Sequence, residues 1–292
     1  MTMELLMDLA DCRFPEQLHT VIFRHHPQWG LPVPVEELAQ TVNITEIREL
    51  DDESFEGALV TNPNKTQGVI LYKAGVREER RRFTVAHELG HFLIPSHSGN
   101  RNCTKSDLRE LRRDNDHRRR ESEANRFAAG LLMPRDWFSR DLDQLGDADV
   151  THVQTLAKKY GTSLEATSNR YTDLTPDACA FVFSKEGVIR YIRPTTNFPR
   201  LAVKAGNNIP SGSASPRAKS QPVRVPTTWS EIDGSVWLET DWGKRSPKIL
   251  EQTVRQSNGF QISLLFVDND ALEQEDEEAE LKENWAIRFH KR

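Results

Sequence analysis

Two histidines four residues apart, with an acid beside the first, are the residues of this chain whose types and spacing can do chemistry. They lie in His87-Glu88-Leu89-Gly90-His91. On a helix turning about 100° per residue, positions i and i+4 stand one turn apart on one face, so both imidazoles can point at one metal ion. Glu88 is near enough to reach a water on that ion and take its proton, because zinc lowers the pKa of such a water to about 7. The same letters occur by chance in ordinary helices. Here Val85, Ala86, Leu89, Phe92 and Leu93 supply an apolar face and Pro95 stops the helix, the context the chemistry needs.

A catalytic zinc usually has three protein ligands and an open position. His97 stands ten residues after His87, a known spacing for a third histidine, but Ile94 and Pro95 occupy the place where that pattern needs a turning glycine. The other candidate lies in Glu121-Ser122-Glu123-Ala124-Asn125-Arg126-Phe127-Ala128-Ala129-Gly130-Leu131-Leu132-Met133. Ala124, Phe127, Ala128, Leu131 and Leu132 make an amphipathic helix, and the 100° rule puts Glu121 on the inward face and Glu123 outside with Gly130. An inward carboxylate is costly unless it binds a metal or pairs with a cation such as the nearby arginines. Asn125, one turn after Glu121, can hold the free nitrogen of a ligand histidine. Its plainer role is a backbone hydrogen bond inside the helix.

Stepping outward, residues 1–30 read as mostly helical, ending in His26-Pro27-Gln28-Trp29-Gly30. A short helix over Val35–Gln40 follows Pro34. Three strand candidates, Ile44–Leu50, Phe55–Thr61 and Gln67–Tyr72, predict a small sheet framing the metal helix, with an edge on which an extended peptide can pair. Residues 95–120 read as a polar loop. Arg109, Arg112, Arg113, Arg118, Arg119 and Arg120 are interleaved there with Glu110, Asp114 and Asp116, the pattern of a solvated face or lid.

The pair Arg82–His91 and Glu121–Pro134 resembles the ImmA/IrrE family of bacterial and phage zinc metallopeptidases, over about residues 30–140. The resemblance implies a minimal gluzincin-like fold and makes Glu121 the third ligand, in agreement with its inward facing. It also implies cleavage of a helix-turn-helix repressor of the Xre type, which releases stress-response or mobile-element genes. The IrrE layout, a peptidase, a helix-turn-helix-like middle and a GAF-like C-terminal domain, is similar.

Beyond residue 140, Asp149–Tyr160 and Leu164–Leu174 read as two helices around Gly161-Thr162-Ser163. The second carries Glu165 and Asp173 against Arg170 alone, which argues against direct DNA binding and for a structural or repressor-docking unit. Further on, Cys179–Phe183, Val188–Ile192, Val236–Thr240 and Gln261–Val267 read as strands and Lys248–Gln256 as a helix. Residues 206–226 form a loop, and Glu273–Glu283 is an acidic tail before Trp285–Phe289.

The expected fold class is α+β: a metallopeptidase domain over 1–140, a helix-turn-helix-like unit over 141–175 and an α/β GAF-like sensor or regulatory domain over 176–292. With 37% hydrophobic and 28% charged residues, no apolar run near the ~18 of a spanning helix and no signal peptide, the chain reads as cytoplasmic, without a membrane partner. Cys12, Cys103 and Cys179 are odd in number and far apart, which suits a reducing compartment and neither a disulfide frame nor a cysteine-based zinc site. A net charge of −5 gives no general attraction to nucleic acid. The expected function is a zinc-dependent endopeptidase with His87, His91 and Glu121 as ligands, Glu88 as general base and Asn125 behind a ligand. Its partner is an Xre-type repressor, and a small molecule or other trigger acts at the C-terminal domain. Imidazole and carboxylate ligands also suit manganese or iron. The alternative is a non-catalytic, regulatory or antitoxin-like protein with a structural metal.

Overall fold

The computed structural model describes residues 2–52, 55–97, 101–103, 107–109, 115–239 and 246–267. Arg112, Arg113, Glu110, Asp114 and the tail from Glu273 to Phe289 lie outside the described residues. The chain divides into two compact units. One holds residues 1–140 and 156–167, the other 141–155 and the described residues from 168 onward. Helices and a mixed sheet in the first and an antiparallel sheet in the second make the chain α+β.

The first unit opens with helices α1 (Thr2–Ala10) and α2 (Pro15–His25), whose Leu5, Leu9, Leu18 and Ile22 recur at helical spacing and are buried. Pro15 suits the first helical position of α2, where no N–H is needed. Helix α3 (Val35–Thr41) leads into strands β1 (Ile44–Leu50), β2 (Gly57–Thr61) and β3 (Gly68–Lys73), each within two residues of its predicted bounds. Helix α4 (Glu78–Leu93) carries the paired histidines, and β4 (Arg101–Cys103) follows it. The strand order is β1-β3-β2-β4. β1 runs parallel to β3, and β2 lies antiparallel to both β3 and β4.

Residues 95–120 are not one loop. Helix α5 (Asp116–Leu132) begins inside them, because Asn115 accepts the Arg118 amide at 2.9 Å and caps it. Arg118, Arg119 and Arg120 therefore lie on a helix. Helix α6 (Arg135–Asp143) follows the stop at Pro134. Helices α4 and α5 pack side by side at Gly90, where a Cβ would meet Phe127 Cδ1 at 3.0 Å and Ala124 Cα at 3.2 Å. Val85, Leu89, Phe127, Ala128 and Leu131 join the two helices in one core.

Helices α7 (Val150–Tyr160) and α8 (Leu164–Leu174) match their predicted spans. Gly161 turns between them at φ +63°, and the Ser163 hydroxyl accepts the Ala166 amide at 3.1 Å.

The second unit is built on β5 (Ala178–Lys185), β6 (Val188–Pro194), β7 (Ser230–Asp233), β8 (Lys248–Arg255) and β9 (Phe260–Val267) in the order β6-β5-β9-β8-β7, all antiparallel. Two expectations fail here. In place of a helix over Lys248–Gln256, Lys248–Arg255 is a strand, although Leu250, Glu251, Gln252 and Arg255 favour helices, because pairing with β7 on one side and β9 on the other outweighs local preference. Val236 ends a short 3-10 turn, with Trp237 buried behind it, instead of opening a strand, and Thr240 lies outside the described residues. Glu251 shows what the strand is for. It is fully buried and accepts from Ser213 Oγ (2.7 Å), Ala214 N (2.9 Å), Ser215 N (3.0 Å) and Trp237 Nε1 (3.2 Å), which pins the loop ahead of β7 to the sheet.

Candidate metal centre

Among the described residues, one group of metal-ligating side chains has its donor atoms drawn together: His87, His91, Cys103 and Glu121. All four are buried, and their ligand atoms lie within 4.8 Å of one another. Helix α4 supplies the histidines one turn apart, with the two Nε2 atoms separated by 3.1 Å. Helix α5 supplies Glu121, whose Oε2 stands 3.2 Å from each. The short strand β4 supplies Cys103, whose Sγ lies 3.8 Å from the same oxygen.

Each imidazole is held from behind. His87 Nδ1 donates to Asn125 Oδ1 at 2.9 Å, and the Asn125 amide donates to the Asp107 carbonyl at 2.9 Å. His91 Nδ1 donates to His97 Nδ1 at 3.0 Å, and His97 Nε2 donates to Glu123 Oε2 at 3.0 Å. These bonds fix the tautomer in which both Nε2 lone pairs face Glu121. Thus His97, weighed as a ligand, and Glu123, placed outside, meet each other one layer back from the cluster. Lys65 closes the end of α4 by donating to the carbonyls of His91 (2.8 Å), Ile94 (3.1 Å) and His97 (2.7 Å).

Electrostatics mark the cluster as ready for a cation. Burial alone would raise the Glu121 pKa, but its place against His87 and His91 outweighs this and holds the carboxyl well below the usual range. Burial pushes His91 down to about 3, so its nitrogen is a free base. Burial, then the charges of Glu88 and Glu121, push the Cys103 thiol up. Glu88 is fully buried. Strand β2 comes so close to it at Gly57 that a Cβ there would meet Glu88 Oε1 at 2.6 Å and Thr84 Cγ2 at 2.4 Å. Beside the cluster, Arg82 donates to the Val33 carbonyl at 2.8 Å, and Tyr72 lies under Arg81.

A tetrahedral zinc with ligands at about 2.0–2.3 Å sets its donor atoms about 3.3–3.6 Å apart. The separations of 3.1, 3.2 and 3.2 Å among the His87, His91 and Glu121 donors lie just inside that, and the Cys103 sulfur stands 3.8 Å from Glu121 and within 4.8 Å of the other donors, so the nitrogen and oxygen donors fit the ion and the sulfur lies beside them.

Residues 42–172 match the family model of the IrrE N-terminal-like domain, Peptidase_M78. This stretch is similar to the IrrE N-terminal-like domain of the M78 peptidases. The M78 segment takes in the four strands of the first sheet, both helices of the site and most of α8. A Mycobacterium tuberculosis transcriptional regulator of solved structure has a similar fold. Its TM-score is 0.57 at 16% identity, over 91% of this chain and 81% of that one. No curated protein matches the sequence. The candidate metal group lies wholly inside the M78 segment. Among the described residues, no helix is long and apolar enough to cross a membrane.

Proposed function

We propose that the chain is a zinc-dependent endopeptidase with His87, His91 and Glu121 as metal ligands, Glu88 as general base and Asn125 orienting His87. The gathering of both histidines and Glu121 around one point inside an M78 domain carries this reading. Zinc held there supplies a Lewis acid that polarises the scissile carbonyl and eases deprotonation of water. Glu88, one residue from the first ligand, takes the proton of the attacking water and passes it to the leaving amine. Asn125 and the His97–Glu123 pair keep the imidazoles in the ligating tautomer. A sulfur donor close by favours zinc over manganese, which prefers oxygen.

The substrate we infer is a helix-turn-helix repressor of the Xre type inside the cytoplasm. Residues 1–140 would form the peptidase, 141–175 a docking unit and 176–292 a GAF-like regulatory domain. The similarity in fold to a transcriptional regulator agrees with a regulatory role. A non-catalytic, antitoxin-like protein with a structural metal would have no use for a buried acid at position 88. Co-expression with the repressor encoded nearest the gene tests the reading. Glu88→Ala is expected to bind zinc and lose about 10²–10⁴-fold in cleavage, while Glu121→Ala loses zinc as well. Equal cleavage by Glu88→Ala and the native chain would sink it.

A further inference from the structure

We propose that Cys103 is a fourth zinc ligand, and that by occupying the position a substrate carbonyl needs it holds the peptidase in a closed, latent state. This rests on the peptidase reading above and concerns how that same site is governed.

The argument starts from placement. Gly57 in β2 pairs with Cys103 in β4, and the Glu56 amide donates to the Cys103 carbonyl at 2.9 Å. That register sets the thiol over the cluster while Gly57, bare of a side chain, lets β2 lie against Glu88. Cys103 is 1% exposed and its sulfur is 3.8 Å from Glu121 Oε2, close to the edge of a zinc tetrahedron. Catalytic zinc sites keep one position open, and structural ones are closed by four protein ligands. With a cysteine on the fourth side the set becomes His-His-Glu-Cys, which is closed.

Burial agrees. His87, Glu88, His91, Cys103 and Glu121 are each at most 1% exposed, so no peptide carbonyl reaches the cluster until something moves. The element placed to move is β4. It is three residues long, lies at the edge of its sheet and is paired on one side, with β2. If it is withdrawn, the fourth position opens and the edge of β2 is freed for an extended peptide.

Charge agrees as well. Zinc's two positive charges would be matched by the Glu121 carboxylate and the Cys103 thiolate, whose proton leaves to water as the ion binds. Matched charges are the inexpensive way to keep an ion away from water.

Zinc-edge X-ray absorption on the full chain loaded with one equivalent of zinc tests the assignment without reading activity. One sulfur at about 2.3 Å beside light atoms at about 2.0–2.2 Å is expected. The sulfur should vanish in Cys103→Ala with zinc still bound one to one, and persist in Cys12→Ser/Cys179→Ser. Should the alanine chain fail to fold, Cys103→Ser keeps the volume and gives the same spectral test. In the co-expression assay Cys103→Ala should cleave the repressor about tenfold faster than the native chain. Light atoms alone in the native chain overturn the ligand assignment and leave Glu88-dependent cleavage standing. A sulfur shell with equal cleavage by the two chains overturns the gate. A sulfur shell with cleavage by neither sinks the peptidase reading and the gate with it.

Discussion

His87 and His91 are held differently behind the candidate metal centre, and the difference is testable. An amide restrains His87, since Asn125 can offer its oxygen and no proton exchange follows. His91 leans on a second imidazole that leans on the Glu123 carboxylate, so some of that acid's charge is felt at its Nε2, the proposed ligand atom. Removing such a partner typically weakens metal binding about 10–100-fold. His97→Ala is therefore expected to lower zinc affinity by that range in competition with a chromogenic chelator, and Glu123→Gln by less. Unchanged affinity in both would mean the relay is packing alone. Part of this was legible in the sequence. The two histidines and Glu88 follow from local helical spacing, and Glu121 and Asn125 from the phase of one amphipathic helix. Cys103 was not legible, because its place is set by pairing between β2 and β4, some forty residues apart, in a strand too short to show alternation. Glu123 was misjudged for a related reason. Helical phase puts it outside, but His97, coming from another element, meets it there.

Helices α4 and α5 must approach closely for donors on both to share one ion, and Gly90 is what lets them. A methyl at Gly90 would stand 3.0 Å from Phe127 Cδ1 and 3.2 Å from the Ala124 backbone, and backbone yields less readily than a side chain. Gly90→Ala is expected to cost about 1–3 kcal/mol in denaturant unfolding. It should also lower zinc affinity, because the shift moves Glu121 away from the histidines. A loss of stability with native zinc affinity would show that the helices adjust elsewhere. Helix α7 offers a prediction in pH. Asp149 Oδ1 accepts the Thr151 amide at 2.7 Å, which caps the helix. Burial would raise the Asp149 pKa, but bonds from Thr151 and Gln252 outweigh it and hold it below its ordinary value. A carboxyl depressed by folding stabilises fully above its unfolded value, about 3.9, and that contribution fades as pH falls through the lower folded value. Asp149→Asn keeps a cap that does not titrate. The melting-temperature gap between the native chain and Asp149→Asn should shrink from about pH 5 toward pH 3. A constant gap would rule the linkage out. The strands of the first sheet were readable because turn residues punctuate them. Strand β8 was not, since its helix-forming residues are overruled by two neighbouring strands and by the four donors gathered on Glu251.

At the scale of the molecule, the boundary between the units does not follow the order of the chain. Residues 156–167 belong with the first unit although residues 141–155 ahead of them belong with the second. The cause is packing that residue periodicity does not reveal. Tyr160 is fully buried, its ring centroid 5.1 Å from that of Phe138. The Thr162 hydroxyl donates to Met133 Sδ at 3.7 Å, and Gly161 passes close to Pro32 and the Arg82 side chain. A chain cut after Arg140 keeps every residue of the metal cluster but loses this cover, leaving Phe138 and Met133 facing water. Losing the burial of one aromatic side chain typically costs about 3–5 kcal/mol, a large share of the ~5–15 kcal/mol that holds a domain folded. The 1–140 fragment is therefore expected to melt well below the full chain, to aggregate, and to bind zinc less than one to one. Tyr160→Ala in the full chain should lower stability by about 3–5 kcal/mol and leave the zinc ligands in place. A soluble 1–140 fragment that binds zinc as tightly as the full chain would show that the metal cluster needs nothing from residues 156–167.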